Sequence, residues 1–407
     1  MNKILHITPH LGGGIGTVLL SWLKDDRENN HSIATLDNVN ECAIKKCKDI
    51  NIPLFSQLEP AKIVEKMENF DIIVIHFWNH PLLYKFLVES HFPASRIIFW
   101  AHISGAEPPY VFNKKLFNMC EKFIFTTPIS QNFVNTNDKF ETIMSMGDIE
   151  KIKNIQKEPH KDFIAGYIGT VDYAKMHGEY VKTLSKTNAD KIIIVGGDSE
   201  KEISKNCDDR FIFTGKLQDV TPVLKQLDVF AYLLSPKHYG TAEQVIQEAM
   251  ACGIVPVVLS NACEKTLVKH NQTGLVANDL DEYVNYINLL KTDIGLRNKL
   301  SQNAKRYANE NFSLRNLTKK WNNVFDDVMK LERTPKKWAL DNLRSTSYDI
   351  FLESLGDYSS IFKNKADYEL KEILKHSNWK SDTKGTPKQY FKFLQGKELE
   401  HICSLYE

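Results

Sequence analysis

Cysteine is scarce in this chain and follows no pattern. Seven are scattered over 407 residues, none in a Cys-x-x-Cys pair, and Cys42 with Cys47 lacks a zinc-like partner spacing. An odd, dispersed set excludes a disulfide framework and a zinc module, and points to reduced thiols in a cytosolic protein. Long apolar runs are missing too. Met1-Asn2-Lys3 leads straight into a short apolar stretch, so no secretory leader is expected, and nothing later is long enough to span a bilayer. The Asn-x-Ser/Thr sequons at Asn271, Asn311 and Asn316 are then expected to be unused. Charge of one sign is lacking as well: 52 basic against 51 acidic residues leave a net +1. Bulk binding to nucleic acid has no support, and any electrostatic attraction must be local.

What is present is alternation. Apolar, β-branched runs at 4–8, 32–36, 72–76, 97–102 and 123–126 read as buried strands separated by helical patterns. A polar, lysine-rich piece at 151–160, ending in Glu158-Pro159-His160, reads as an interdomain linker. The pattern then restarts at 164–168, 191–195, 211–214, 229–234, 255–259 and 274–277, and turns helical after about Asp279. The length exceeds one typical domain. The expected class is α/β, with two doubly wound Rossmann-like sheets facing a cleft.

The most informative run is Gly240-Thr241-Ala242-Glu243-Gln244-Val245-Ile246-Gln247-Glu248-Ala249-Met250-Ala251-Cys252-Gly253, followed by Ile254-Val255-Pro256-Val257-Val258-Leu259. Thr241 with Gln244 predicts a capping-box start, Gly253 a left-handed stop, and the β-branched run a buried strand. The helix would open at the carboxyl edge of a parallel sheet, where such folds bind ligands. Glu248 lies one turn after Gln244, and a carboxylate there can accept hydrogen bonds from the vicinal hydroxyls of a ribose. As a bland alternative, Glu248 is a solvated helix carboxylate and its neighbours are core.

The Glu-Ala-Met-Ala-Cys-Gly segment with its Val-Pro-Val-Val strand resembles the donor-binding signature of glycosyltransferase family four, retaining enzymes of the GT-B fold. The resemblance implies domains at 1–155 (acceptor side) and 156–313 (donor side) and a crossover helix at 314–337. A helical extension at 338–407 lies beyond the family pattern. It also implies donor contacts from Gly13, Gly14 and Gly16 in the loop Leu11-Gly12-Gly13-Gly14-Ile15-Gly16-Thr17. This loop fails the dehydrogenase fingerprint Gly-x-Gly-x-x-Gly at either start, although Asp37 near the end of strand two keeps a dinucleotide site as a rival. The stretch Tyr167-Ile168-Gly169-Thr170-Val171-Asp172-Tyr173-Ala174-Lys175 is similar to the family's Gly-Arg-Leu segment with its downstream lysine, and places Lys175 to neutralise a departing nucleoside diphosphate. Thr170 stands where the family has arginine, leaving Lys175 and His177 to carry the charge. Gly215, Lys216, His238, Tyr239, Gly240, Thr241 and Ala242 complete the expected donor contacts. The family's first glutamate falls on Gly240, and Glu243 is the nearest carboxylate to replace it. His102, ending Phe99-Trp100-Ala101-His102, resembles the strand-ending histidine that contacts the donor sugar. The catalytic set implied is His102, Lys175 and Glu243.

The activity implied is transfer of a sugar from a UDP- or GDP-linked donor to a glycan or polyprenyl-diphosphate-linked acceptor. The setting would be surface polysaccharide or lipopolysaccharide assembly, at the inner face of the cell membrane. No cofactor or metal is demanded, since Lys175 and a helix terminus can do the work of charge neutralisation. Asp279-Leu280-Asp281 reads better as a helix cap than as a metal motif. Tyr110 to Phe117 and the lysines at 375, 380, 384, 388, 392 and 397, interleaved with Trp379, Tyr390, Phe391 and Phe393, would suit an anionic bilayer; core packing is the alternative. Two rival functions remain open: a nucleotide-sugar epimerase or phosphorylase on the same fold, and a non-catalytic sugar-nucleotide-binding protein.

Overall fold

The β-branched and aromatic runs form strands buried on both faces, as parallel sheets require. In the computed structural model, residues 1–56, 58–135, 137–147, 149–197, 200–339 and 345–406 are described. The chain divides into two units, Met1–Met144 with Leu317–Glu407, and Ser145–Asn316. The expected extension at 338–407 therefore includes residues 340–344 and 407, which lie outside the described set.

The first unit holds β1 Lys3–Thr8, β2 Asn30–Thr35, β3 Leu54–Phe55, β4 Ile72–Phe77, β5 His91–Ser95, β6 Ile97–Ala101, β7 Lys122–Phe125 and β8 Phe140–Thr142. Its parallel sheet runs β3-β2-β1-β4-β6-β7-β8. Strand order reverses direction between β1 and β4, so the loops leaving them part to opposite faces and open a crevice at the carboxyl edge. The glycine loop is the one that leaves β1, feeding the helix Gly13–Asp25. Gly16 is required there: a Cβ would stand 2.0 Å from the Leu11 carbonyl oxygen.

The second unit holds β9 Ile164–Ile168, β10 Lys191–Val195, β11 Phe211–Gly215, β12 Val229–Tyr232, β13 Val255–Leu259 and β14 Leu275–Ala277, in the order β11-β10-β9-β12-β13-β14. Here the order reverses between β9 and β12. The loops leaving those two strands are Gly169 to Lys175 and Leu233 to Glu243, the two stretches singled out from sequence. The helix Gln244–Ala251 follows, and Gly253 at φ +72° stops it as its sequence predicts. The capping box does not form: the helix starts at Gln244 with Glu243 as N-cap, and Thr241 is buried in the preceding loop. Asp279 caps the helix Leu280–Thr292 by accepting from the Glu282 N–H at 2.8 Å.

The helix Leu314–Met329 carries the chain back to the first unit. It ends short of 337, and Thr334–Lys337 instead forms β15, antiparallel to β5, because Pro335 cannot continue a helix. Trp321 stacks on Trp22 at a centroid separation of 4.9 Å and meets Trp100 edge-on at 4.9 Å. All three rings are fully buried. The extension packs on this unit too. Asn79 donates to the Ser354 carbonyl at 3.0 Å, Asn113 to that of Glu353 at 2.7 Å, and the Tyr110 hydroxyl to that of Asn378 at 3.0 Å. Tyr110, Val111 and Leu116 are buried, as are Trp379 and Tyr390. No helix among the described residues is long and apolar enough to cross a membrane.

Trp321 locks the returning helix to the first sheet. Trp321→Ala is expected to lower stability by about 3–5 kcal/mol, the usual loss for a fully buried tryptophan; chemical denaturation followed by tryptophan fluorescence measures it.

Candidate active site

The two loops at the second unit's switch point are zipped together by their backbones. The Ser235 N–H donates to the Lys175 carbonyl at 2.8 Å and the His177 N–H to that of Leu233 at 3.1 Å. The Asp172 carboxylate closes the first loop by accepting from the Ala174 N–H at 2.7 Å. Thr170, at the position of the family arginine, is held by tyrosines: its carbonyl accepts from Tyr167 at 2.7 Å, and its hydroxyl from Tyr239 at 3.1 Å. The loop therefore keeps its shape without the arginine.

Lys175 points inward. Its Nζ lies 3.1 Å from Glu243 Oε2, the two side chains being 12% and 4% exposed. The Tyr232 hydroxyl donates to the same oxygen. The rings of Tyr232 and Tyr239 flank the ammonium, their centroids 5.5 and 5.8 Å away. On the other side, His238 Nε2 is 2.8 Å from Glu264 Oε1, and its Nδ1 accepts from the Gly240 N–H at 2.9 Å. Glu264 is fully buried, and the His238 contact is off-axis, so neither carboxylate oxygen takes a well-directed hydrogen bond. Burial alone would lower the Lys175 pKa, but Glu243, with Tyr239 and Glu264 behind it, raises it above the ordinary value. Burial alone would raise Glu243, yet Lys175, His238 and Tyr232 together bring it below the carboxylate range. The pair is thus held in its charged form. Burial likewise works to lower His238, and the carboxylates of Glu264 and Glu243 raise it overall. Protonating it requires breaking its bond with Gly240.

Glu243 reaches Lys175 at a local conformational cost, with φ at +24°. The space it enters is the one left vacant at Gly240: a Cβ there would fall 1.6 Å from Glu243 Oε1. The helix begins only after Glu243, which accounts for the missing capping box.

Glu248 lies on the first turns of that helix, half-buried and facing Gly147, where a Cβ would stand 3.2 Å from its Oε1. Gln247, fully buried, ties the strand-like segment 145–147 to the helix. Its Nε2 donates to the carbonyls of Ser145 at 3.0 Å and Ala242 at 2.7 Å, while Oε1 accepts from the Gly147 N–H at 3.3 Å. His177 borders the lysine loop, with its Nδ1 accepting from the Glu179 N–H at 3.1 Å, and burial lowers its pKa. Gly215, at φ +68°, ends β11, and the stem of Lys216 just after it lies 3.2 Å from the Cβ position of Gly197. On the first unit, Gly13 has φ +66°, and Gly14 and Gly16 continue into the first helical turn. His102 follows β6, half-buried, between Trp78 and Trp100.

Residues 148–307 match the family model described as glycosyl transferases group 1. The match covers 160 of the 407 residues, all within the second unit. An uncharacterized glycosyltransferase of Methanocaldococcus jannaschii, MJ1069, is 28% identical over 49% of this chain and 56% of its own length. A Bacillus subtilis protein named as a candidate glycosyltransferase, YtcC, is 22% identical over 67% of this chain and 76% of its own. The chain thus spans little more than half of the first relative. In fold, Anabaena HepE in complex with UDP and glucose is similar with a TM-score of 0.67 at 17% identity, over 80% of this chain and all of HepE. The architecture is accordingly GT-B.

Within the matched segment the structure gathers Lys175, His238, Tyr239, Gly240 and Glu243 around one buried charge pair. It also brings in residues that the sequence reading did not assign. Tyr232 ends a strand and reads there as core, and Gly147 and Gln247 are far apart in sequence and meet only in the fold; Glu264 begins a four-residue helix and closes the stretch Asn261-Ala262-Cys263-Glu264, which resembles family positions without a role assigned to it.

Removing one member of the pair leaves a buried charge uncompensated. Glu243→Gln is expected to cost about 3–5 kcal/mol at pH 7, and Lys175→Met with Glu243→Leu to recover most of it. Because the folded pKa of Glu243 is depressed, its contribution is complete above the unfolded value, about 4.3. It disappears as pH falls through the lower folded value. Denaturation of wild type and variant across this acid range should show their difference vanish.

Proposed function

We propose that the chain transfers a sugar from a nucleotide-sugar donor to a glycan or lipid-linked glycan, with retention of anomeric configuration, in assembly of a surface polysaccharide. The observation that carries this reading is the buried Lys175–Glu243 pair at the switch point between β9 and β12, next to the helix bearing Glu248. The UDP and glucose bound in the structurally similar Anabaena HepE add support.

In this reading Glu248 accepts hydrogen bonds from the ribose hydroxyls, and backbone amides ahead of the helix face the diphosphate. Lys175 lies where negative charge builds on the leaving diphosphate. Its ammonium is already desolvated and oriented by Glu243 and two tyrosine rings, so little reorganisation accompanies bond breaking. The acceptor hydroxyl attacks on the face the diphosphate leaves, and its proton passes to a departing phosphate oxygen. Glu243 and His238 orient the donor sugar. The extension's lysines, whose neighbouring rings Trp379 and Tyr390 are spent on packing, would meet an anionic acceptor or the headgroups of the inner membrane face.

Calorimetric titration with UDP- and GDP-sugars and the free diphosphates tests this. One nucleotide class is expected to bind. Glu248→Ala should weaken it about 10- to 100-fold, the loss of charge-assisted hydrogen bonds at about 1.5–3 kcal/mol. Absence of binding to every nucleotide, or indifference to Glu248, overturns the reading.

A further inference from the structure

Histidine recurs on one face of the first sheet in a diagonal. His31 on β2 pairs in register with Ile4, two residues before His6 on β1. His6 in turn pairs with Val74, two before His76 on β4, and His76 pairs with Trp100, two before His102. Each step moves one strand over and two residues up. Period-two alternation keeps all four rings on one face, within reach of one another.

The rings form an unbroken chain. His102 Nε2 is 3.1 Å from His76 Nδ1, His76 Nε2 is 3.0 Å from His6 Nδ1, and His6 Nε2 is 2.9 Å from His31 Nδ1. At the far end His31 Nε2 is 2.8 Å from Asp26 Oδ2. Trp22 packs edge-on to His6 and His31, and His6, His31, His76 and Asp26 are buried. Asp26 also accepts from Asn29 Nδ2 at 3.0 Å and from the Glu28 N–H at 2.8 Å. Burial would raise its carboxyl, but these bonds and His31 bring it below the ordinary value, so it is ionised. Burial lowers His6, His76 and His102, the second to about 3, so these rings are neutral.

An ionised carboxylate only accepts, and a neutral imidazole has one donor and one acceptor. A neutral His31 then carries its proton on Nε2, donates it to Asp26 and accepts at Nδ1. The same assignment passes to His6, His76 and His102 in turn. One nitrogen remains at the end, His102 Nδ1, which has no hydrogen-bond partner among the described residues.

We propose that Asp26, through three intervening histidines, fixes the Nε2–H tautomer of His102, so that Nδ1 stands at the carboxyl edge of the sheet as an acceptor for a sugar hydroxyl. The hydroxyl as ligand rests on the transferase reading; the tautomer rests on the geometry alone. Asp26 is thus a positioning residue, acting on a ring four hydrogen bonds away.

Asp26→Asn inverts the relay, because an amide N–H donates to His31 Nε2 and reverses every bond above it. Full-length protein labelled with ring-15N histidine, with His102 assigned through His102→Gln, reads this by NMR. In the wild type, His102 Nε2 should give a protonated-type shift and Nδ1 an unprotonated one, exchanged in Asp26→Asn. Turnover of UDP-glucose by the variant should fall on the order of 10²-fold in kcat, as for other ring-orienting partners. A proton on Nδ1 in the wild type, or unchanged His102 shifts in the variant, overturns the relay. Exchanged shifts with unaltered turnover overturn the role toward the hydroxyl. If Asp26→Asn does not fold, the wild-type shifts decide by themselves. If the wild type neither binds nor turns over nucleotide sugars, the transferase reading fails while the shifts still judge the relay.

Discussion

An ammonium cannot remain charged inside a protein unless a carboxylate comes to it, and much of the second unit is arranged around that requirement. Lys175 is carried into the interior by a loop whose backbone is tied to its neighbour, and Glu243 is brought across at an unfavourable φ to meet it. The start of the helix Gln244–Ala251, the burial of Thr241 and the two flanking tyrosines all follow from that meeting. The pair contributes a fixed dipole at the carboxyl edge of the sheet.

The first unit solves a different problem with similar means. Among the described residues, its sheet carries at the corresponding edge a column of imidazoles, each bonded to the next, with the Asp26 carboxylate at the bottom. Because unpaired polar groups are costly in such surroundings, each buried ring takes its partners from its neighbours in the column. Aromatic rings from the returning helix seal it from the side, with Phe325 against His31 and Trp321 against Trp100.

Most strands were legible because β-branched runs in a parallel sheet are nearly continuous and bounded by turn residues; 164–168, 191–195 and 255–259 agree with the sequence reading to the residue. Short edge strands such as Leu54–Phe55 and Phe140–Thr142 carry too little apolar signal. The GT-B architecture was legible through the Glu248 signature and the two alternating halves. The relay of histidines was not: His6, His31 and His76 lie far apart in sequence, and only the register between strands lines them up. The same holds for Gln247 and Gly147, whose contact depends on the fold.

Gly240 and Glu243 occupy one space between them. A side chain at 240 would displace the carboxylate of 243 from its present place, since a Cβ there would fall 1.6 Å from Glu243 Oε1. The two positions are therefore coupled: a side chain gained at 240 turns the Glu243 carboxylate away from Lys175. Among homologues the two positions should switch together.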